Sequence, residues 1–126
     1  MQRKGMVIGI KPDKIEEYKT LHANTWPEVL DCIAGSHIKN FSIFIHDKTL
    51  FGYFEYHGSD LESDMKTWAN NKKMQEWWEI CIPLLEPLES GKRDDGWIYM
   101  EEIFHAYRLN SKHDWLQTTL TIHFDF

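Results

Sequence analysis

Residues 17–28 have the sequence EYKTLHANTWPE, and this stretch decides how the first half of the chain folds. Tyr18 and His22 are four residues apart, so on a helix the phenol and the imidazole project from one face, a single turn apart. Trp26 extends the same row by another turn. Pro27 lacks a backbone N–H and is accommodated in the first turn of a helix. The stretch therefore predicts a helix carrying Tyr18 and His22, a break, and a fresh helix beside Pro27.

Helix starts are also predicted by polar pairs three residues apart. In this capping-box spacing, the two side chains satisfy backbone N–H groups in the first turn of a new helix. Gly35 is predicted to end the second helix as a left-handed cap. The predicted capping pairs are Asp13 with Glu16, Thr25 with Glu28, and Ser59 with Glu62.

Alternating apolar residues predict four strands around these helices. Residues 5–10, 39–46 and 97–105 alternate with a period of two, which is typical of strands, and residues 50–57, rich in aromatic residues, are predicted as another strand. The second and third are separated by a short polar turn and predict a hairpin. Helical segments over 59–70 and 71–81 precede the last strand.

The predicted order, strand–helix–strand–strand–helix–strand, is that of an α+β, ferredoxin-like βαββαβ domain. Such a domain has an antiparallel four-stranded sheet with its helices on one face. The other face would leave aromatic and aliphatic side chains in water, so either a pocket or a second subunit should cover it. We therefore expect a homodimer whose sheets face each other, a dimeric α/β barrel.

The 126 residues suffice for one domain, which we place at residues 1–109. Residues 110–126 form an extension in which 110–114 is linker-like and 118–126 alternates, so it is either an added edge strand or disordered. The net charge of −6 argues against nucleic acid as a partner. No membrane-spanning or signal-peptide pattern is found, and Cys32 and Cys81 are too few for a disulfide framework. The cytoplasm is the expected compartment.

His22 is the strongest candidate for chemistry, because imidazole titrates near neutral pH and Tyr18 offers a second exchangeable proton beside it. A histidine on an apolar helix face is also commonly a core residue, and that alternative stays open here. The histidines have no spacing typical of a metal site, and no glycine-rich phosphate loop is present. We therefore expect neither a metal nor a cofactor. Some of the six tryptophans are expected to line a pocket, since indole rings stack on sugars.

Residues 3–107 resemble the L-rhamnose mutarotases, small dimeric ferredoxin-like enzymes that interconvert the anomers of a 6-deoxy sugar. Relatives often carry a tryptophan where this chain has Met65, with Trp68 one turn later, and relatives acting on L-fucose look similar. The motifs that carry the resemblance are Arg3-Lys4, Pro12-Asp13, Glu16-Glu17-Tyr18, His22, Trp26-Pro27-Glu28, Asn40, Trp77-Trp78 and Met100 to His105.

The resemblance implies that His22 is the acid/base catalyst and Tyr18 its companion. It also implies that the family's paired tryptophans are Trp77 and Trp78, and we expect one or the other to stack against the C5–C6 methyl side of the sugar. Trp26, next in the row, is expected to contact the substrate.

Two further residues have alternatives that stay open. Asn40 either hydrogen-bonds a sugar hydroxyl or caps its strand, and His105 is either a second pocket histidine or a surface residue at a strand end.

Three functions remain open at this point. The first is a cofactor-free mutarotase acting on L-rhamnose or, alternatively, on L-fucose. The second is a haem- or small-molecule-binding protein of the dimeric ferredoxin-like class, since haem-degrading monooxygenases on this architecture also use His, Asn and Trp. The third is a ligand-sensing or oligomerisation module without catalysis.

Overall fold

The helices of this chain pack on one side of an antiparallel sheet in a computed structural model that describes residues 1–88, 96–108 and 115–117. The helices are α1 (Ile15–Ala23), α2 (Pro27–Gly35), α3 (Leu61–Ala69) and α4 (Lys72–Cys81). The strands are β1 (Gln2–Ile10), β2 (Ile38–His46), β3 (Thr49–Tyr56), β4 (Leu85–Glu86), β5 (Ile98–Met100), β6 (Ala106–Arg108) and β7 (Trp115–Gln117).

The main sheet has the order β2-β3-β1, and β4 and β5 both pair with the free edge of β1. Every one of these pairings is antiparallel. This is the sheet order of a ferredoxin-like domain, so the predicted α+β class and βαββαβ arrangement are confirmed.

The side of the sheet that faces the helices is built from alternate residues of β1 and β3. Met6 lies opposite Gly52, and Ile8 lies opposite Leu50. A Cβ at Gly52 would lie 2.8 Å from Met6 Cε, so glycine is what allows the Met6 side chain to lie flat on the sheet. Met6, Ile8 and Leu50 are buried. The period-two pattern therefore places the core on this side.

The opposite side of the sheet is apolar and exposed in the single chain. Val7 and Phe44 both lie opposite Phe51, and Met100 lies opposite Gly5. Phe44 is 64% exposed and Met100 is 43% exposed. The alternation thus predicted this open face correctly, while the homodimer that would cover it stays a prediction.

The break between α1 and α2 is where the sequence predicts it, with Pro27 in the first turn of α2. The predicted capping pairs are wrong, however. Neither α1 nor α2 has a side-chain cap, and the Thr25 hydroxyl instead donates to the carbonyl of His22 at 2.9 Å. At α3 the cap is Asp60, whose Oδ1 accepts from the Ser63 N–H at 3.1 Å, and not Ser59. These short polar residues compete for the same backbone groups, and position in the turn decides between them.

The predicted last strand is too long. Only Ile98–Met100 pairs with β1, and residues 101–105 are not in a strand. The edge of β1 is shared, because β4 pairs with Gly9 and Ile10 while β5 pairs with Gly5 to Val7. Beyond Met100 the chain contacts β1 through a side chain, since Glu102 binds Arg3.

The pairing of β6 with β7 crosses the predicted domain boundary at residue 109. The predicted linker 110–114, the tail strand 118–126 and most of the predicted loop 89–96 lie outside the described residues. Across the described ranges, no helix has the length and apolar character needed to cross a membrane.

Candidate active site

A cavity of about 570 Å³ lies between the helices and the sheet. All four helices contribute to its lining, together with β1, β2 and β3. Its size lies within the range of small-molecule sites. The predicted residues that line it are Tyr18, His22, Asn40, Trp77 and Trp78.

Tyr18 and His22 share the face of α1 that borders this cavity. Their ring centres are 4.0 Å apart with the planes inclined by 25°, so the rings are stacked. Tyr18 is 6% exposed and His22 is half-buried. The four-residue spacing therefore brings the phenol and the imidazole together as predicted.

A single hydrogen bond determines which nitrogen of His22 is available for chemistry. Nδ1 lies 3.0 Å from the carbonyl oxygen of Tyr18. A carbonyl only accepts, so Nδ1 carries the hydrogen and Nε2 of the neutral ring has a free lone pair. Burial lowers the pKa of His22 below its ordinary value of 6.5, and the bond to Tyr18 partly offsets this. The ring is therefore neutral at pH 7 and presents Nε2 as a base.

The hydroxyl of Tyr18 stays protonated at neutral pH. Burial raises its pKa well above the usual value, and the charge that Cys81 acquires on ionising raises it further. Within the described part of the chain, no hydrogen-bond partner of this hydroxyl is found. A buried, unpaired hydroxyl beside a cavity is a donor available to a ligand. Burial also raises the pKa of Cys81 to about 11, so that group is a thiol and not a thiolate.

The two paired tryptophans differ in their surroundings. Trp77 is buried, and its ring meets His22 edge-on with centres 5.4 Å apart. Trp26 also packs edge-on against Trp77, with ring centres 5.2 Å apart, and is not among the cavity-lining residues. Trp78 is half-buried and borders the cavity. Trp26 thus supports Trp77, while Trp78 offers a partly exposed ring.

Asn40 borders the cavity, but its side chain is already engaged. It lies at an irregularity of β2 with a φ of 52°, and its Nδ2 donates to Glu55 Oε1 at 2.8 Å. His105 is not among the residues lining this cavity, and its ring stacks on Tyr107 with centres 5.7 Å apart. The structure therefore gathers Tyr18, His22, Trp77 and Trp78, and leaves His105 outside the group.

Aromatic residues that the sequence predicted only as core also line the cavity. Phe41 stacks on Trp68 with ring centres 6.5 Å apart, and Phe54 and Met65 lie alongside. The indole N–H of Trp68 donates to Ser36 Oγ at 2.5 Å. The inward spacing of Met65 and Trp68 was visible in the sequence, but their position at a cavity was not.

Within the described ranges, no group of three or more His, Cys, Asp or Glu side chains is arranged to hold a metal ion. Tyr18 and His22 are neighbouring polar residues of the cavity lining, which also includes Thr25 and Asn40. The pair of Tyr18 and His22 can donate one hydrogen bond and accept one proton, which suits proton transfer on a bound small molecule.

Proteins of known name resemble this chain over most of its length. The family model described as L-rhamnose mutarotase matches residues 3–106. The L-rhamnose mutarotase of Oceanobacillus iheyensis is 32% identical over 109 residues, covering 83% of this chain and 98% of the relative. That of Bacillus subtilis is 32% identical over 88 residues, covering 68% of this chain and 82% of the relative.

Solved structures agree on the fold. L-rhamnose mutarotase from Formosa agariphila superposes with a TM-score of 0.66 at 23% identity, covering 83% of this chain and 98% of that one. Tetracenomycin F2 cyclase from Streptomyces glaucescens, a type-II polyketide cyclase, has a TM-score of 0.62 at 15% identity, covering 86% and 99%. At these identities the likeness concerns fold alone. On the family match and the sequence relatives, the chain belongs to the L-rhamnose mutarotase family.

Proposed function

We propose that this protein interconverts the α and β anomers of L-rhamnose by acid/base opening and closing of the sugar ring. The observation that carries the proposal is the stacked pair of Tyr18 and His22 beside the cavity, 4.0 Å between ring centres. The family match and the two relatives named L-rhamnose mutarotase support the choice of sugar.

The reaction moves one proton from the anomeric hydroxyl to the ring oxygen. His22 Nε2 takes the proton of the C1 hydroxyl, the C1–O5 bond breaks, and O5 receives a proton to become the C5 hydroxyl of the open aldehyde. Rotation about the C1–C2 bond presents the other face of the aldehyde. The same steps in reverse close the ring as the opposite anomer. Positioned proton transfer of this kind contributes ~10²–10⁴-fold.

Each group of the pair has one role in this scheme. His22 is the principal acid/base, because its free nitrogen is unprotonated at neutral pH. Tyr18 is the donor to the ring oxygen, because its raised pKa keeps the hydroxyl protonated. No other chemical group is needed, since the reaction consists only of proton transfers and rotation about a bond.

The remaining predicted substrate contacts differ in whether their side chains line the cavity. Trp77 and Trp78 pack against the apolar side of the sugar ring, which the position of both at the cavity supports. Trp26 acts through Trp77, on which it packs. Asn40 borders the cavity and has a second amide hydrogen and Oδ1 beyond its bond to Glu55, so a contact with a sugar hydroxyl is compatible with that bond. His105 is not among the residues that line the cavity.

Saturation-transfer NMR tests this proposal, since it measures exchange between anomers at equilibrium. We expect the protein to accelerate exchange of L-rhamnose, to act less on L-fucose and not on D-glucose. His22→Ala should abolish the acceleration while the circular dichroism spectrum is unchanged. His46→Ala, an exposed histidine at the end of β2, is the matched control and should retain full activity. Unchanged exchange in a folded His22→Ala protein would remove His22 from the mechanism.

A homodimer with facing sheets is part of the same proposal. The open face carries Phe44, Phe51 and Met100, which are 64%, 37% and 43% exposed in the single chain. Apolar patches of this kind are commonly covered by a partner. Size-exclusion chromatography with light scattering should give twice the chain mass, and Phe44→Glu should give the mass of one chain. The free thiols Cys32 and Cys81 support placing the enzyme in the reducing cytoplasm.

A further inference from the structure

We propose that Phe41, Phe54 and Trp68, here called the aromatic wall, receive the C6 methyl group of the sugar and select 6-deoxy sugars over their 6-hydroxy counterparts. This inference rests on the proposed function, because it concerns an atom of the same substrate in the same cavity. It assigns a specificity-determining role to residues outside the catalytic pair.

The aromatic wall is one packed group at the cavity surface. The ring of Phe41 lies 5.8 Å from that of Phe54 and 6.5 Å from that of Trp68, measured between centres. Phe54 is 3% exposed and Trp68 is 9% exposed. Met65, one turn before Trp68 on α3, borders the cavity beside them. Together they form a deep, rigid and apolar surface.

The aromatic wall has no hydrogen-bonding capacity left for a ligand. Its only polar atom is the indole Nε1 of Trp68, which donates to Ser36 Oγ at 2.5 Å. The Ser36 hydroxyl in turn donates to the carbonyl of Cys32 at 2.7 Å. The Ser36 bond therefore fixes the plane of the indole and uses its one donor. A hydroxyl group pressed against this wall would have no partner in it.

The chemistry at Tyr18 and His22 limits how a sugar can lie in the cavity. C1 and the ring oxygen must meet these two side chains. The hydroxyls on C2 to C4 need partners or water, and Leu30 and Ile82, 52% and 38% exposed, mark a side of the cavity open to solvent. Because burying an unpartnered hydroxyl is unfavourable, the hydroxyl-bearing edge faces water. The C5–C6 edge, which carries no hydroxyl in a 6-deoxy sugar, then faces the aromatic wall.

This assignment differs from the expectation that Trp77 or Trp78 contacts the methyl group. The ring of Trp77 is held edge-on against His22 and packed on Trp26, with centres 5.4 and 5.2 Å apart. It is thus beside the reacting atoms, where it can cover the ring of the sugar. The methyl group instead fits the aromatic wall, whose one polar atom, Nε1 of Trp68, already donates to Ser36.

Three sugars that share their configuration at C2 to C4 isolate the contribution of C6. L-Rhamnose has a methyl group there, L-mannose a hydroxymethyl group, and L-lyxose no C6. An apolar pocket rejects an added hydroxyl by up to about 10²-fold, and loss of one methylene costs ~10–200-fold. We therefore expect kcat/KM, each corrected for spontaneous exchange, to fall about ten- to a hundredfold from L-rhamnose to either analogue.

Met65→Gln places an amide group beside the aromatic wall, and the glutamine side chain is similar in length to that of methionine. It should raise the L-mannose to L-rhamnose ratio of kcat/KM about tenfold, the value of one hydrogen bond. Leu30→Gln makes the same kind of change at the solvent-facing side and should leave that ratio unchanged. Equal effects of the two variants, or equal turnover of L-mannose and L-rhamnose by the unmutated protein, would overturn the inference.

A binding measurement separates this inference from the proposed function. Isotope-filtered NOEs from the C6 methyl protons of ¹³C-labelled L-rhamnose should reach ring protons of Phe41 or Trp68, also in the inactive His22→Ala protein. NOEs from the methyl group to Trp77 alone would overturn the assignment of C6. Failure to accelerate exchange of any sugar would instead overturn the proposed function.

Discussion

Arg3 and Glu102 form a two-point ion pair that ties the start of β1 to the segment following β5. Nε of Arg3 lies 3.0 Å from Oε2 of Glu102, and Nη2 lies 3.1 Å from Oε1. The side chains are 21% and 28% exposed. This parallel arrangement is the strong geometry for guanidinium and carboxylate groups. The pair holds residues 101–105 near the sheet where no backbone pairing does.

We predict that Arg3 and Glu102 are energetically coupled. In a double-mutant cycle of Arg3→Ala and Glu102→Ala, urea unfolding should give a coupling energy of ~1.5–3 kcal/mol, the range for hydrogen bonds to charged groups. Arg3→Lys keeps the charge without the two-point geometry and should recover only part of it. If the effects of the two single substitutions on the free energy of unfolding are additive, the ion pair contributes no coupling energy to stability.

The pH dependence of catalysis should report the lowered pKa of His22. Burial disfavours the charged ring, so the neutral base persists below the ordinary value of 6.5. We expect the enzyme-dependent rate to be flat near pH 7 and to fall as the pH drops through this lowered pKa. The profile should be measured by saturation transfer after subtracting spontaneous exchange at each pH. A fall that begins above pH 6.5 would contradict the direction of the shift.

The same shift predicts a stability effect of defined sign. Below pH 6.5 the unfolded chain binds a proton at His22 before the folded chain does. This contribution therefore lowers the free energy of unfolding as the pH falls from 6.5 toward the folded pKa. His22→Gln removes the titrating group. In parallel urea titrations, the free energy of unfolding of this variant should therefore decline less below pH 6.5 than that of the unmutated protein.

Tyr18→Phe isolates the phenolic hydroxyl, because the stacked ring is kept. The hydroxyl has no hydrogen-bond partner among the described residues, so its removal should change the free energy of unfolding by less than about 1 kcal/mol. The enzyme-dependent kcat should nevertheless fall by ~10²-fold or more, as expected for loss of a positioned proton donor. Tyr107→Phe, an exposed tyrosine outside the cavity, is the control and should be fully active. An unaltered kcat in Tyr18→Phe would assign the donor to another group.

The N-terminal cap of α3 provides a direct test of a corrected prediction. Asp60 accepts a hydrogen bond from the Ser63 N–H, whereas Ser59 makes no cap. Asp60→Ala should therefore lower the free energy of unfolding by ~0.5–2 kcal/mol. Ser59→Ala should be neutral within about 0.5 kcal/mol. The opposite result in urea denaturation would restore the cap predicted from the Ser59–Glu62 spacing.

The sequence by itself determined the order of the four helices and of strands β1, β2, β3 and β5, the break before Pro27 and the pairing of Tyr18 with His22. These features depend on groups that are neighbours along the chain. A spacing of four residues places two rings one helical turn apart whatever else the protein does. A period of two assigns strand residues to opposite faces for the same local reason, so the core face of β1 and the exposed Phe44 were both predictable.

Only the tertiary structure decided where those elements meet. The bond from Asn40 to Glu55 lies at an irregularity between two strands, and no spacing along the chain encodes its geometry. The strand Ile98–Met100 does not begin earlier along β1, because β4 already pairs with Gly9 and Ile10 on the same edge. The bond that fixes Trp68 joins it to Ser36, 32 residues earlier. Contacts between residues this far apart in the sequence form only when the whole sheet and its helices have packed.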